Sequence, residues 1–281
     1  MSPWIAAARP HTLLIGLYPV WLGALAAWQL GEVTWWWIVP AMLIALSLQI
    51  GVNFHNDLRD GLRGADREDR IGPARMVASG CISPRAMRWG VIGCMTLALT
   101  LGLVTAACRF PWALPAMAIC VLAALSYSAG TRPASHRGLG DLLTLLFFGP
   151  VACVGTTYLL SLQTTPLSWT LGLACGCFSV AFIAINNIRD IDADRKIGKQ
   201  TLAVRFGESF GRYEIASMLV LPCLLAWTSG ASLGCVSLLW SGPFIKRMPT
   251  THGPAWNREW SCVSRAYAVF VLGVTSTLLL T

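Results

Sequence analysis

Phe178 to Asp190 reads FSVAFIAINNIRD, an apolar run that stops at two asparagines and an arginine–aspartate pair. The same ending, NDLRD at Asn56 to Asp60, closes another apolar run early in the chain. In each copy of Asn-x-x-Arg-Asp the amide and the carboxylate stand one helical turn apart, on the same face of a helix. What these endings mean depends on whether the runs before them cross a membrane.

Composition decides that. Of 281 residues, 55% are hydrophobic and 12% are charged, against roughly 25% charged in soluble domains. A spanning helix needs roughly 20 apolar residues. Nine stretches qualify, at about 12–30, 34–55, 86–107, 111–129, 141–163, 166–187, 211–229, 231–245 and 261–280, the eighth being short and interrupted by Gly242 and Pro243. The expected fold is therefore all-α, one polytopic membrane domain over residues 1–281. At the N-terminus, MSPWIAAARPHTLL leads from Arg9 into an apolar run with no small-residue cleavage site, which reads as a first membrane helix and not as a removed signal.

Loop charge orients the chain. With nine spans the termini fall on opposite sides. If the N-terminus is cytoplasmic, every lysine and arginine except Arg109 lies on the cytoplasmic side, the asymmetry expected of short inner loops. That asymmetry accounts for the net charge of +8 without a nucleic-acid partner. The expected location is the inner, cytoplasmic membrane of the cell, with the C-terminus outside. The ten cysteines sit mostly in apolar runs with no CxxC pair and read as small hydrophobes. The thirteen tryptophans read as interfacial belt residues.

The acids need a separate explanation, because topology rules concern basic residues. All but Glu32 fall on the cytoplasmic side, and most gather in two loops: Asp57, Asp60, Asp66, Glu68 and Asp69, then Asp190, Asp192 and Asp194. Asn56 and Asp60 share a helix face, as do Asn186, Asp190 and Asp194, while Gly61 and Gly64 allow the chain to turn back toward Asp66. Carboxylate and amide oxygens without nearby Cys suit Mg²⁺, which binds through a few carboxylates plus substrate phosphates. Arg59, Arg63, Arg67, Arg70 and Arg75 in the first loop, and Arg195, Lys196 and Lys199 in the second, supply the forks and point charges that hold phosphate oxygens. The bland alternative is two solvated helix ends with ordinary salt bridges. Two matching copies at one membrane face favour a shared polar site, one that would take a diphosphate head with a lipid tail.

The sequence Asn56 to Arg75 follows N-D-x-x-D-G-x-x-G-x-D-x-x-D-R-I-G-P-x-R, and Asn186 to Gly207 follows N-N-x-R-D-x-x-x-D-R-x-x-G-K-x-T-L-x-V-R-x-G. With Arg9-Pro10, Thr12-Leu13, Tyr127-Ser128, Arg137 to Asp141 (RGLGD) and Phe147-Phe148-Gly149, these resemble the UbiA-type intramembrane prenyltransferases, most closely their menaquinone branch. The likeness covers most of residues 9–207 and is weak afterwards, apart from Asn257 and Arg265.

The resemblance implies nine helices around a central cavity and two Mg²⁺ ions, one on Asn56 and Asp60, the other on Asp190 and Asp194. Asp66 stands two places later than the third acid of the general family pattern. Arg63, Arg70, Arg75, Lys196, Lys199, Asn186 and Asn187 are the expected diphosphate-binding groups. Arg9, His11, Tyr127 and Arg132 are the expected contacts to the aromatic acceptor, with His11 standing where the branch usually has lysine. Implied partners are a polyprenyl diphosphate, dihydroxynaphthoate and the lipid bilayer. Implied chemistry is prenylation of 1,4-dihydroxy-2-naphthoate with loss of CO2 and diphosphate. Other acceptors of the same family (homogentisate, 4-hydroxybenzoate, haem) stay open, and a cation channel or transporter is the non-enzymatic alternative. The D-G-x-x-A-R spacing of CDP-alcohol phosphatidyltransferases is absent.

Overall fold

A computed structural model describes residues 2–31, 33–62, 74–130 and 133–280. Arg63, Asp66, Arg67, Glu68, Asp69, Arg70 and Arg132, named above, lie outside the described residues, as does Glu32. Every regular element among those described is helical: α1 Pro3–Ala8, α2 Pro10–Trp28, α3 Ile38–Leu62, α4 Pro84–Cys108, α5 Ala113–Ser126, α6 Gly140–Leu146, α7 Ala152–Ser161, α8 Pro166–Arg189, α9 Ile191–Lys196, α10 Leu202–Phe206, α11 Glu208–Thr228, α12 Leu238–Arg247 and α13 Trp256–Leu280.

Seven of the nine expected spans are helices long and apolar enough to cross a membrane. The protein is thus a multi-pass membrane protein. The two exceptions are physical refinements of the count. The fourth span is the 14-residue α5, about 21 Å long against a hydrocarbon core of about 30 Å. The eighth is a 3₁₀ turn, Ser232–Ser237, followed by the ten-residue α12 with Pro243 inside it. Leucines and tryptophans stand outward on several helices, among them Leu122, Trp227, Leu239 and Leu272, as a hydrocarbon solvent permits.

The chain forms two compact units, Met1–Leu17 with Trp36–Ala134, and Tyr18–Trp35 with Ser135–Thr281. In the first, α3 packs along α4 and α5 around Phe54, Leu58, Met87, Val91 and Met95. Ser83 caps α4 by accepting from the Ala86 N–H at 3.2 Å, with Pro84 in the first turn, where its missing N–H costs nothing. The buried amides of α3 donate across to the N-terminal segment. Asn53 Nδ2 donates to Ala8 O at 2.9 Å and Thr12 Oγ1 at 3.1 Å, and Gln49 Nε2 donates to Thr12 Oγ1 at 3.2 Å. These bonds fix the rotation of α3 and so aim its last turns.

In the second unit α8 is the inner helix. Thr165 and Ser168 form a reciprocal capping box at its start, and its 24 residues reach about 36 Å, enough to carry Asn186 to Asp190 past an apolar core. Small residues let neighbours approach, as in membrane helix packing generally: a Cβ on Gly176 would stand 2.4 Å from Leu145 O, and one on Gly172 would stand 2.9 Å from Pro150 Cα. That close approach faces a break. Between α6 and α7 the helix passes through a π turn, Phe147–Val151, with Gly149 at φ −117°, ψ −112°, next to a proline that cannot donate to the ladder. On the other side of α8, Phe178 stacks on Tyr267 of α13 at 4.6 Å between centroids, and Tyr18 meets the same ring edge-on at 4.7 Å.

Candidate active site

The first motif ends α3 under a turn formed by residues 75–80. Gly61 permits the contact, since a Cβ there would lie 2.8 Å from Val77 Cγ1. Asp57, 1% exposed, holds the turn down: its Oδ1 accepts from the Val77 N–H at 2.8 Å and its Oδ2 from the Met76 N–H at 2.9 Å. The turn then presents Arg75, whose Nη2 donates to Asp60 Oδ2. One turn back, Asn56 Oδ1 accepts from Ser128 Oγ, beside half-buried Tyr127 at the end of α5. Arg59 points elsewhere, donating to Gly130 O at 3.4 Å. Of the expected site residues, the structure therefore gathers Asn56, Asp60 and Arg75, with Tyr127 next to the serine that holds Asn56.

The second motif ends α8. Asp190 breaks from helical geometry at φ −99°, ψ 11°, yet its N–H still bonds to Asn186 O at 3.0 Å, and the Asp194 N–H bonds to Asp190 O at 2.8 Å. Arg189 clamps Asp190 with a fork, Nε to Oδ1 at 2.9 Å and Nη2 to Oδ2 at 2.7 Å, while its Nη1 reaches Asn257 Oδ1 at 2.9 Å. After α9 the chain turns at Gly198, φ 72°, where glycine takes a left-handed conformation freely. This brings Lys199 back, so that its Nζ donates to Asp194 Oδ2 at 2.9 Å and its N–H to Asp194 O at 2.9 Å. Asn187 Nδ2 donates to buried Asp141 Oδ1 at 3.3 Å. Asn186 is half-buried, and Lys196 is exposed.

Burial raises the Asp194 carboxyl above its ordinary value, and Asp190 adds to the rise; the Lys199 charge and hydrogen bond oppose it, as does Arg189. Three carboxylates of the two motifs are thus held by cations: Arg75 on Asp60, Arg189 on Asp190 and Lys199 on Asp194. Among the described residues no three acids, cysteines or histidines converge closely enough to hold a metal by themselves. The donor set fits a hard divalent cation, all oxygen and no sulfur, provided that phosphate oxygens complete the shell. A magnesium diphosphate meets that condition.

Two side chains carry roles that sequence reasoning missed. Asp57 ties down the 75–80 turn, and Asp141 holds Asn187. Helical phase was the available signal for the first, since Asp57 lies about 100° around α3 from Asn56 and so faces a different neighbour. Asp141 closes the RGLGD stretch noted in the sequence, and its place at the start of an otherwise apolar span was the signal for a buried polar role. At the N-terminus, Arg9 is the left-handed end of α1 at φ 54°, and its carbonyl accepts from Thr12 Oγ1 at 2.9 Å; His11 is exposed in the first turn of α2.

Residues 16–277 match the model of the UbiA prenyltransferase family. The chain is 36% identical to the 1,4-dihydroxy-2-naphthoate octaprenyltransferase of Mycobacterium tuberculosis, over 88% of this chain and 84% of that one. It is 34% identical to the Escherichia coli protein of the same name, over 88% and 81%. Among solved structures, a UbiA homolog from Aeropyrum pernix superposes with a TM-score of 0.69 at 15% identity, covering 95% of this chain and 98% of that one. One from Archaeoglobus fulgidus bound to GPP and Mg2+ superposes with 0.65 at 17%, covering 99% and 100%. The helical fold, the paired aspartate motifs and a family match across nearly the whole length agree: the chain belongs to the UbiA prenyltransferase family.

Proposed function

We propose that the protein transfers a polyprenyl group from an allylic polyprenyl diphosphate to 1,4-dihydroxy-2-naphthoate, releasing diphosphate and CO2 and giving the reduced, hydroquinone form of a demethylmenaquinone. The observation that carries this reading is the likeness to naphthoate octaprenyltransferases at 36% and 34% identity over most of both chains. The geometry supports it. Each motif offers carboxylates paired with a cation, a suitable setting for a diphosphate that brings divalent metal with it.

In this reading Asn56 and Asp60 serve one ion and Asp190 and Asp194 the other, with Asp66 beside the first. That both motifs serve one diphosphate rests on the sequence, where loop charge puts them on the same membrane face. Bound Mg²⁺ would neutralise charge building on the leaving diphosphate. Arg63, Arg70, Arg75, Lys196 and Lys199 would hold the phosphate oxygens, and Asn186 would add an amide. Ser128 fixes Asn56, and the Arg189 fork fixes Asp190, so neither ligand has to reorganise as charge develops. Tyr127, with Arg9, His11 and Arg132, would orient the acceptor so that its electron-rich ring carbon faces the ionising allylic carbon. Apolar helices keep water from that carbon. The acceptor carbon then loses its carboxylate as CO2, which restores the aromatic ring. We further propose an inner-membrane location with the N-terminus and both motifs cytoplasmic.

The test is incubation of the purified protein in lipid with Mg²⁺, a polyprenyl diphosphate and either 1,4-dihydroxy-2-naphthoate or 4-hydroxybenzoate. Prenylated naphthoquinol is the expected product. Product from neither acceptor would overturn the reading, and product from hydroxybenzoate alone would replace the acceptor.

A further inference from the structure

The outward face of α13 carries arginines at the end where its apolar span begins. Arg258, Arg265, Leu272 and Leu279 recur every seven residues and so lie along one face, and all four are exposed. In the span read from the sequence at 261–280, Arg265 stands about one turn from the cytoplasmic end, about 6 Å along the helix. It makes no hydrogen bond or ion pair with another side chain among the described residues. From there a long arginine side chain snorkels to the interface, the level at which lipid phosphates lie.

Arg265 lines a shallow, widely open surface cavity of about 440 Å³ together with Leu239, Trp240, Pro243, Arg247 and Cys262. Its second cation, Arg247, ends α12 and donates from Nη2 to Glu259 Oε2 at 3.2 Å. One carboxylate against two guanidiniums leaves the cavity net positive. Its apolar wall is outward-facing, with Leu239 69% and Trp240 44% exposed, and the arginine face continues down α13 into Leu272, 65% exposed. Cations at one level followed by open apolar surface below match a molecule with an anionic head and hydrocarbon tails.

We propose that this cavity is a binding site for an anionic phospholipid, its phosphate between Arg247 and Arg265 and its acyl chains along Leu239, Trp240 and Leu272. A soluble anion would satisfy the arginines but leave that apolar wall without an occupant. The proposal is independent of the reaction and of which acceptor the protein uses.

The test is native mass spectrometry of the whole protein in detergent, titrated with phosphatidylglycerol, phosphatidylcholine, glycerol phosphate or 1,4-dihydroxy-2-naphthoate. Wild type should retain phosphatidylglycerol at least about fivefold over phosphatidylcholine and should retain glycerol phosphate weakly. R247A/R265A should lose most of that excess, R265K should keep a large part of it, and R109A should be unchanged. Bromine-labelled phosphatidylglycerol should quench wild-type fluorescence more than that of W240F, a readout that needs no charge substitution. Equal retention of the two phospholipids, an unchanged R247A/R265A variant, glycerol phosphate bound as tightly as the lipid, or displacement of the lipid by the naphthoate would each overturn the proposal.

Discussion

Arg189 binds both carboxylate oxygens of Asp190, at 2.9 and 2.7 Å, and at the same time reaches Asn257 Oδ1 at 2.9 Å. The middle arginine of the second motif is therefore a brace: it ties the acid at the end of α8 to the start of α13. Planar, two-pronged geometry is what arginine supplies and lysine does not. Arg189→Lys should keep the protein folded and lower turnover about 10- to 100-fold, the usual effect of losing a group that orients a metal ligand. Initial rates across a Mg²⁺ titration check this, and an unchanged rate and Mg²⁺ dependence would show that Asp190 needs no brace.

Asp57 and Asp60 sit in one motif but do different work. Asp57 accepts two backbone N–H bonds from the 75–80 turn, and charge-assisted bonds of this kind contribute about 1.5–3 kcal/mol each. Asp57→Ala should lower the unfolding temperature in detergent, and activity should fall with it. Asp60→Asn, which keeps an oxygen acceptor for Arg75, should abolish turnover while the melting curve stays near wild type. The opposite pattern would exchange their roles.

Lys199 opposes the burial that raises the Asp194 carboxyl, so Lys199→Met should raise it further. A metal binds the carboxylate form, and Mg²⁺ affinity should therefore fade at a higher pH in the variant than in wild type as the solution is acidified. For the metal-free fold the sign is the reverse: a carboxyl raised on folding binds more protons in the native state, so native stability increases as pH falls. Mg²⁺ titrations and melting curves at several pH values separate the two trends, and coincident curves for variant and wild type would remove Lys199 from the site.

Gly176 and Gly93 are both helical, yet only one is constrained. A Cβ at Gly176 meets Leu145 O at 2.4 Å, while one at Gly93 meets nothing within 4 Å. Gly176→Ala should destabilise by about 1–3 kcal/mol through forced separation of packed backbone. Gly93→Ala should be neutral or stabilising by up to ~1 kcal/mol. Thermal unfolding in one detergent compares them.

Most of the architecture was legible because a bilayer makes apolar run length almost sufficient: seven of the runs read from the sequence are long helices. The break at Phe147–Val151 was not, since Gly149 and Pro150 in an apolar run are compatible with a straight, a kinked or a broken helix. What selects the π turn is contact with Gly172 and Gly176 of α8, which no local pattern contains. The acids of the site were legible as a repeated pattern, but their partners were not. Arg75, expected at the diphosphate, also pairs with Asp60, and Asn187 donates to Asp141. Such pairings join positions far apart in the chain and depend on helix rotation.

The central claim is decarboxylative prenylation of a naphthoate. Its most direct test supplies the purified protein in lipid with Mg²⁺, a polyprenyl diphosphate and 1,4-dihydroxy-2-naphthoate labelled at the carboxylate carbon, and counts labelled CO2 against prenylated product. One CO2 per prenyl group transferred is the predicted result. A prenylated product that keeps the label, or no transfer to the naphthoate at all, would contradict it.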